Sequence, residues 1–87
     1  MKNWNNLETI GCSQKSFYGK AKTCLHNGEI LLKSYDTIVC KMDAENRFVK
    51  MWDGYSPTTM RHINSFRVAC FLPKITKKEW ESMEVGA

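Results

Sequence analysis

Short apolar runs separated by turn residues in the first part of the chain predict antiparallel strands. The clearest signal is Asn27-Gly28, because these two residue types adopt the positive φ values that a type I′ turn requires. The segments on either side, residues 17–25 and 30–35, are rich in apolar side chains. We therefore expect them to pair as an antiparallel hairpin.

Two further strands are expected after the hairpin. Residues 36–42 contain a run of β-branched and apolar side chains, and residues 47–52 contain a second such run. The polar residues 43–46 between them have the composition of a turn. Residues 7–10 are considered as a short additional strand. Connections as short as these predict a meander of about four strands.

The second half of the chain changes to helical periodicity. Ser56 followed by Pro57 has the form of an N-cap and a first helical residue, where the missing N–H of proline costs nothing. The helix is predicted to run over residues 57–71 and to end before Pro73. Apolar residues recur along it at spacings of three and four and form a stripe that should face the sheet: Met60, Ile63, Phe66 and Cys70.

A second, shorter helix is predicted over residues 77–85. Thr76 and Glu79 have the spacing of a capping box, and Ile75 and Trp80 occupy the two positions of a hydrophobic staple. Glutamates near its end oppose the helix dipole, so its last turn should fray. Together the elements predict an α+β fold in the order ββββαα. An antiparallel sheet of about four strands carries one long helix packed on it and a short C-terminal helix.

Length and composition place the chain among folded globular proteins. With 87 residues, 43% of them hydrophobic, it has room for one core and one domain, residues 1–87. No apolar run approaches the roughly 18–20 residues that a membrane span needs. The first residues also lack the apolar stretch of a signal peptide. We therefore expect a single cytoplasmic domain with no membrane partner.

The cysteines are expected to be reduced packing residues. No two of them form the Cys-x-x-Cys pair that zinc sites favour, since they stand at Cys12, Cys24, Cys40 and Cys70. Cytoplasmic proteins rarely hold disulfides. His26 and His62 lie far apart and lack carboxylates at metal-ligand spacing. The glycines form no phosphate-binding loop. We therefore expect no metal and no cofactor.

Positive charge is concentrated in the second half of the chain. The formal net charge is +4, from 13 Lys and Arg against 9 Asp and Glu. Residues 54–78 contain no acidic residue and carry five basic ones, which are Arg61, Arg67, Lys74, Lys77 and Lys78. These side chains are either phosphate contacts or an ordinary solvated surface. The charge pattern alone is compatible with both.

The densest cluster of hydroxyl, basic and imidazole groups lies at residues 55–63, at the predicted start of the long helix. Helix N-termini attract anions through unpaired N–H groups and the helix dipole. The residues considered for binding are Tyr55, Ser56, Thr58, Thr59, Arg61 and His62, together with Arg67 further along the helix. The competing interpretation, which we favour, is structural. In it Ser56 caps the helix, Thr59 fills a half-buried position and His62 packs against the sheet edge.

A second basic segment precedes the hairpin turn. Lysines and aromatic residues interleave over residues 15–22, as they do in platforms for single-stranded nucleic acid, where rings stack on bases and lysines bind phosphates. Strand alternation places Lys20 and Lys22 on one face with Tyr18, and Lys15 precedes them. Lysines also protect edge strands from aggregation. The same residues are compatible with both roles.

The sequence contains no recognisable catalytic constellation. A hydrolase would need His62 beside a nucleophile and an orienting acid. Ser56 lacks the glycine-flanked context of a nucleophile elbow, and turn chemistry already accounts for the aspartates at strand ends. We therefore expect a protein that is not an enzyme and that acts by binding.

Two segments resemble a family of small uncharacterised proteins from phages, plasmids and gut Firmicutes. The segments are Ser34-Tyr35-x-Thr37-x-Val39 and Tyr55-Ser56-x-Thr58-Thr59-x-Arg61-His62-Ile63-x-x-Phe66. The resemblance extends over residues 7–66 and is most specific in the Thr-Thr-x-Arg-His-Ile part. It brings no established activity, cofactor or catalytic residue, so it implies only a biological setting.

That setting implies a phage or mobile-element accessory protein that binds and modulates a host protein, as anti-CRISPR inhibitors of defence nucleases do. A basic chain fits an acidic protein patch, or nucleic acid already held in a complex, better than it fits mimicry of DNA. The alternative function is a small basic nucleic-acid-binding or regulatory protein that uses Arg61, Arg67 and the lysines. A homodimer is a third arrangement, because so small a sheet has exposed edges.

Overall fold

The structure, a computed structural model that describes residues 4–7 and 19–86, contains one antiparallel sheet and two helices. The strands are β1 (Asn5–Asn6), β2 (Ala21–His26), β3 (Glu29–Ser34), β4 (Thr37–Met42) and β5 (Phe48–Lys50), and the helices are α1 (Pro57–Ala69) and α2 (Lys77–Ser82). The strands lie side by side in the order of the sequence. This arrangement confirms the predicted α+β fold, with one strand more than the order ββββαα.

The fifth strand, β1, precedes residues 7–10, for which the sequence analysis considered a short strand. β1 pairs with β2 through Asn5 and Asn6. Leu7 follows β1, and its N–H donates to the carbonyl of Ala21 at 2.8 Å, while residues 8–10 lie outside the described part of the chain. Asparagine is depleted in strands, so propensity gives no signal for β1.

The β2–β3 hairpin forms around the predicted turn. Asn27 and Gly28 have φ values of 52° and 79°, the pair of positive values that a type I′ turn requires. His26 faces Glu29 across the turn, and the register continues along both strands. The hairpin is thus confirmed, with β2 beginning at Ala21. The first residues of the predicted strand, 17 and 18, lie outside the described residues.

Asp43 shapes the turn between β4 and β5. Its Oδ1 accepts the N–H groups of Glu45 at 2.9 Å and of Arg47 at 2.8 Å, and Asn46 has a positive φ of 63°. An aspartate that accepts the N–H groups of its own turn fixes that connection. The polar turn predicted at residues 43–46 is confirmed, and β5 ends at Lys50 rather than at residue 52.

Helix α1 covers one face of the sheet with the predicted apolar stripe. Ser56 Oγ accepts the N–H of Thr59 at 3.4 Å, which confirms the N-cap. The buried core joins this stripe to the sheet and to α2 through Met60, Ile63, Phe66, Leu32, Val39, Cys40, Met42, Ile75 and Trp80. Cys70, at the end of the stripe, packs partly buried against this core. Over the described residues, no helix is long and apolar enough to cross a membrane.

Helix α2 begins at the predicted capping box. Thr76 Oγ1 accepts the Glu79 N–H at 3.1 Å, and Glu79 Oε1 accepts the Thr76 N–H at 3.0 Å. The fully buried Trp80 donates its indole N–H to the carbonyl of Gly54 at 2.8 Å. That bond fastens α2 to the chain leaving the sheet. The helix ends at Ser82, short of the predicted residue 85, as expected where glutamates oppose the dipole.

A buried ammonium group satisfies the last carbonyls of α2. Lys50 is 3% exposed, and its Nζ donates to the carbonyl oxygens of Trp80 at 2.8 Å and Met83 at 3.2 Å. The same Nζ lies 3.6 Å from Oδ1 of Asp53. The carbonyls at a helix end lack intrahelical partners and attract positive charge. Lys50 therefore supplies from the sheet the cation that α2 itself lacks in its last turn.

Gly28→Val tests the hairpin turn. Valine is strained at the positive φ of this position, so the free energy of unfolding should fall by about 1 kcal/mol or more. Urea unfolding gives that value. His26→Val places the same side chain at a neighbouring exposed strand position and serves as the control. Equal stability of Gly28→Val and the unmodified protein would contradict the turn.

Thr76→Ala tests the start of α2. Loss of the hydroxyl that caps the helix should cost about 1 kcal/mol of local stability. Amide hydrogen exchange should accelerate over residues 77–83, whereas Thr37→Ala, a change at an exposed threonine of the sheet, should leave these amides unchanged. Unaltered exchange in Thr76→Ala would show that the cap does not hold the helix.

Candidate functional site

Half of the predicted site at the start of α1 serves the fold. Ser56 is the N-cap, while Thr59 and His62 are 4% and 1% exposed. Thr59 Oγ1 lies 3.0 Å from Ser34 Oγ, on the neighbouring strand β3. Ser56, Thr59 and His62 therefore have the structural roles that we favoured from the sequence. His62 packs under the sheet rather than at its edge.

Ser34 and His62 form a hydrogen bond that the sequence did not reveal. Ser34 Oγ lies 2.7 Å from His62 Nδ1, and either atom donates according to the tautomer of the ring. A serine beside a histidine is also the geometry of nucleophilic catalysis. Here Ser34 is 3% exposed, so a substrate has no access to its hydroxyl. The pair acts structurally by joining α1 to β3.

The outward-facing part of the predicted helix site is small. Tyr55 is 36% exposed, and the ammonium group of Lys77 lies 4.7 Å from the centroid of its ring. Arg61 is exposed and Thr58 is half-buried. This outer surface therefore consists of Tyr55, Arg61 and the neighbouring Lys77.

Arg67 serves the fold rather than an exposed basic surface. Its side chain is 7% exposed, and its Nε donates to the carbonyl of Pro73 at 2.8 Å. The guanidinium carbon lies 4.5 Å from the centroid of the Phe48 ring, a cation–π contact. Of the five basic residues of the second half, Arg67 is therefore buried, whereas Arg61 and the three lysines are exposed.

The lysines that precede the hairpin turn face away from the helices. Lys22 pairs directly with Lys33 of β3, so the two side chains share a sheet face. Lys20 lies two positions before Lys22 and on the same side by strand alternation. Lys15 and Tyr18, the other predicted residues of this segment, lie outside the described residues. Sequence reasoning missed Lys33, although the two-residue Asn27-Gly28 turn sets the hairpin register and thereby places Lys33 opposite Lys22.

An open apolar groove lies between the end of α1 and strands β3 and β4. Its volume is about 430 Å³, and its lining consists of Ile30, Met42, Asn46, Ala69, Cys70, Phe71 and Leu72. Leu25 is 72% exposed and pairs directly with Ile30 on β3, so it extends this apolar surface along β2. This groove is therefore a candidate binding surface.

Phe71 is the most unusual residue of the groove. Its side chain is 96% exposed, and its φ of 64° is positive. Its N–H donates to the carbonyl of Val68 at 3.0 Å, and the N–H of Leu72 donates to the carbonyl of Arg67 at 2.8 Å. These bonds end a helix through one left-handed residue, a place that glycine usually occupies. The chain thus holds an aromatic ring in solvent at a strained position.

Two side chains of α1 fix the chain beyond Phe71. Asn64 Nδ2 donates to the carbonyl of Ile75 at 3.0 Å, and Asn64 Oδ1 accepts the Ile75 N–H at 2.8 Å. Arg67 binds the carbonyl of Pro73 in the same connection. The end of α1 holds the backbone before Phe71, and these bonds hold the backbone after it. The backbone conformation at Phe71 is therefore fixed.

Sequence reasoning missed the groove because it extended the helix through Phe71. α1 ends at Ala69, and Cys70 is its C-cap. Pro73 disfavours the helical conformation at Leu72 alone, so it did not distinguish an end at Ala69 from one at Phe71. Nothing in the local sequence indicates that a phenylalanine takes the left-handed position.

The described cysteines and potential metal ligands form no assembled site. No group of three or more His, Cys, Asp or Glu side chains among them is placed to hold a metal ion. The thiols of Cys24, Cys40 and Cys70 are not in disulfides, and Cys12 lies outside the described part. Burial raises the pKa of the Cys40 thiol and that of the Cys70 thiol. Both therefore remain protonated and weakly nucleophilic at neutral pH.

The buried imidazole of His62 should make stability depend on pH. Burial lowers its pKa in the folded protein below the ordinary value of about 6.5. Protons therefore bind the unfolded chain more readily. The free energy of unfolding is therefore highest above about pH 6.5, and it decreases as the pH falls through the folded pKa. Urea unfolding at about pH 7 and about pH 5 should show this loss.

His62→Asn should reduce the difference between the two pH values, whatever its effect on absolute stability. His26→Asn changes the exposed histidine of the hairpin and should preserve the difference. A pH dependence that disappears with His26 and persists without His62 would contradict this assignment.

Comparison with known proteins gives a family and no activity. No curated protein and no solved structure matches the chain. A family model described as a family of unknown function (DUF8033) matches residues 5–82. The match covers nearly the whole sequence and confirms the expected resemblance to an uncharacterised family. The chain therefore belongs to this family of unknown function, DUF8033.

Proposed function

We propose that the protein is a non-enzymatic binding protein that docks onto another protein through the groove at the end of α1. The observation that carries this proposal is Phe71, whose ring is 96% exposed. Aromatic side chains that insert into a pocket of a partner commonly dominate the energy of protein interfaces. In this proposal Phe71 is that inserted residue, and the groove beside it receives an apolar side chain of the partner.

Two costs in the free protein support a role for Phe71 in binding. An exposed phenylalanine forgoes the roughly 1.5–3 kcal/mol that burial of its ring would contribute. A left-handed conformation at a residue other than glycine costs about another 1–2 kcal/mol. Strained residues cluster at functional sites, where the surrounding structure holds them. Docking recovers the first cost, because a partner removes the ring from water.

The partner that fits this surface is an acidic protein with an apolar pocket. Lys74, Lys77 and Lys78 follow Phe71 in the chain and are exposed, and the net charge is +4. Complementary charge around an apolar centre accelerates association and selects the partner. A second copy of this chain has the same positive charge, which disfavours self-association through this surface.

The resemblance to small proteins of phages, plasmids and gut Firmicutes suggests a biological setting for this proposal. In it the protein is an accessory protein of a phage or mobile element. It binds and modulates a host protein in the host cytoplasm, with a defence nuclease as the specific target class. A binding role is consistent with the enclosed Ser34–His62 pair, which leaves no accessible nucleophile there.

The test compares Phe71→Asn with Tyr55→Asn. Asparagine tolerates the left-handed conformation, so Phe71→Asn removes the ring without disturbing the helix end. Tyr55→Asn removes another exposed aromatic ring, in the region predicted from the sequence. A host protein retained by the immobilised chain after nuclease treatment of the lysate is purified, and its Kd is measured for each variant.

Phe71→Asn should weaken binding by about 30-fold or more, which corresponds to about 2 kcal/mol. Tyr55→Asn should change the Kd by less than about threefold. Undiminished binding by Phe71→Asn would refute the proposal. So would a protein that sediments as a dimer and becomes monomeric on Phe71→Asn, because the groove would then bind a second copy.

A further inference from the structure

A second surface with its own chemistry lies on the sheet face opposite the helices. Lys22 and Lys33 are direct partners across β2 and β3, and Lys20 lies on the same face. Together with Gly19, Tyr35 and Asp36 these lysines line a shallow hollow of about 170 Å³. This lysine hollow is separate from the Phe71 groove, which lies where the end of α1 meets β3 and β4.

The arrangement of charge in the lysine hollow is unfavourable in the free protein. Like charges directly opposite each other on neighbouring strands destabilise a sheet. Within residues 4–7 and 19–86, the ion pairs involve Lys41, Arg47 and Lys50, and none involves a lysine of the hollow. Asp36 lines the hollow without pairing with them. An anionic ligand between Lys22 and Lys33 would relieve this repulsion.

Two aromatic rings accompany the lysines. Lys33 Nζ lies 4.4 Å from the centroid of the Trp4 ring, a cation–π contact that positions its ammonium group. Tyr35 is 50% exposed and has a positive φ of 56°. Its N–H donates to the carbonyl of Lys20 at 2.6 Å, which fixes its backbone beside the hollow. Its ring centroid lies 5.8 Å from that of His62, so Tyr35 sits at the end of the sheet, between His62 and the hollow. An exposed ring next to phosphate-binding lysines is the combination that binds single-stranded nucleic acid.

We propose that the lysine hollow binds single-stranded nucleic acid, in addition to the protein docking proposed for the Phe71 groove. Lys20, Lys22 and Lys33 contact the phosphates, and the ring of Tyr35 stacks on an unpaired base. Neighbouring strands are about 4.8 Å apart, so lysines on β2 and β3 converge on one or two phosphates. A single strand exposes its bases to Tyr35, whereas a duplex stacks them out of reach.

Fluorescence anisotropy with a labelled oligothymidylate of about twelve nucleotides tests the proposal. Binding should weaken with salt between about 50 and about 200 mM NaCl. The slope of log affinity against log salt should be about −1, because each of the one or two neutralised phosphates of a single strand contributes roughly −0.7. A duplex of the same length should compete weakly.

The charge variants separate the lysine hollow from the basic residues of the second half. Lys22→Glu with Lys33→Glu should weaken binding about tenfold or more and flatten the salt slope. Lys74→Glu with Lys78→Glu makes the same change in net charge elsewhere and should have an effect below about threefold. Equal losses in the two double variants would overturn the proposal, since binding would then follow net charge alone.

Tyr35→Asn and Asp36→Asn test the geometry of the lysine hollow. Tyr35→Asn keeps a residue that tolerates positive φ but removes the ring, so affinity should fall about fivefold or more. Asp36→Asn removes a negative charge from the hollow and should tighten binding. If Tyr35→Asn binds as the unmodified protein does, while inorganic phosphate displaces the oligonucleotide, the site takes a phosphate group alone and the single-strand proposal is wrong.

Discussion

The course of the chain between the two helices depends on hydrogen bonds from side chains of α1 to backbone groups of the connection. Asn64 binds both the N–H and the carbonyl of Ile75, and Arg67 binds the carbonyl of Pro73. Arg67 also packs over the Phe48 ring, so the connection is joined to the sheet. Buried polar side chains are costly unless they are paired, and here that requirement fixes where α2 starts. The left-handed position of Phe71 follows from the same constraint.

The two candidate surfaces arise from the two faces of one small sheet. One face is closed by α1 and α2, except beyond the end of α1, where Leu25 is exposed and Ile30 is half-buried. The other face carries the lysines of β2 and β3, so charge collects there. Both helices of the described chain lie on the first face. The positions of the Phe71 groove and the lysine hollow therefore follow from the order of the elements.

Local sequence signals predicted the elements that depend on neighbouring residues. The Asn27-Gly28 turn and the capping box at Thr76 each act through contacts within a few positions, and both were found. The Lys22–Lys33 pair follows from the register that the Asn27-Gly28 turn sets. The outward position of Phe71 depends on hydrogen bonds from α1 to a later segment. Local sequence patterns do not reveal such long-range contacts. For this reason the fold was largely predictable, while the groove at Phe71 was not.

The most direct measurement is the free energy of unfolding of Phe71→Gly, determined without any partner. If the fold imposes the left-handed conformation and the ring contributes little to the free protein, glycine should increase this free energy by about 1 kcal/mol. Tyr55→Gly, at a position without positive φ, should decrease it. A loss of stability in Phe71→Gly would contradict a binding role for Phe71, because the ring would then stabilise the free protein.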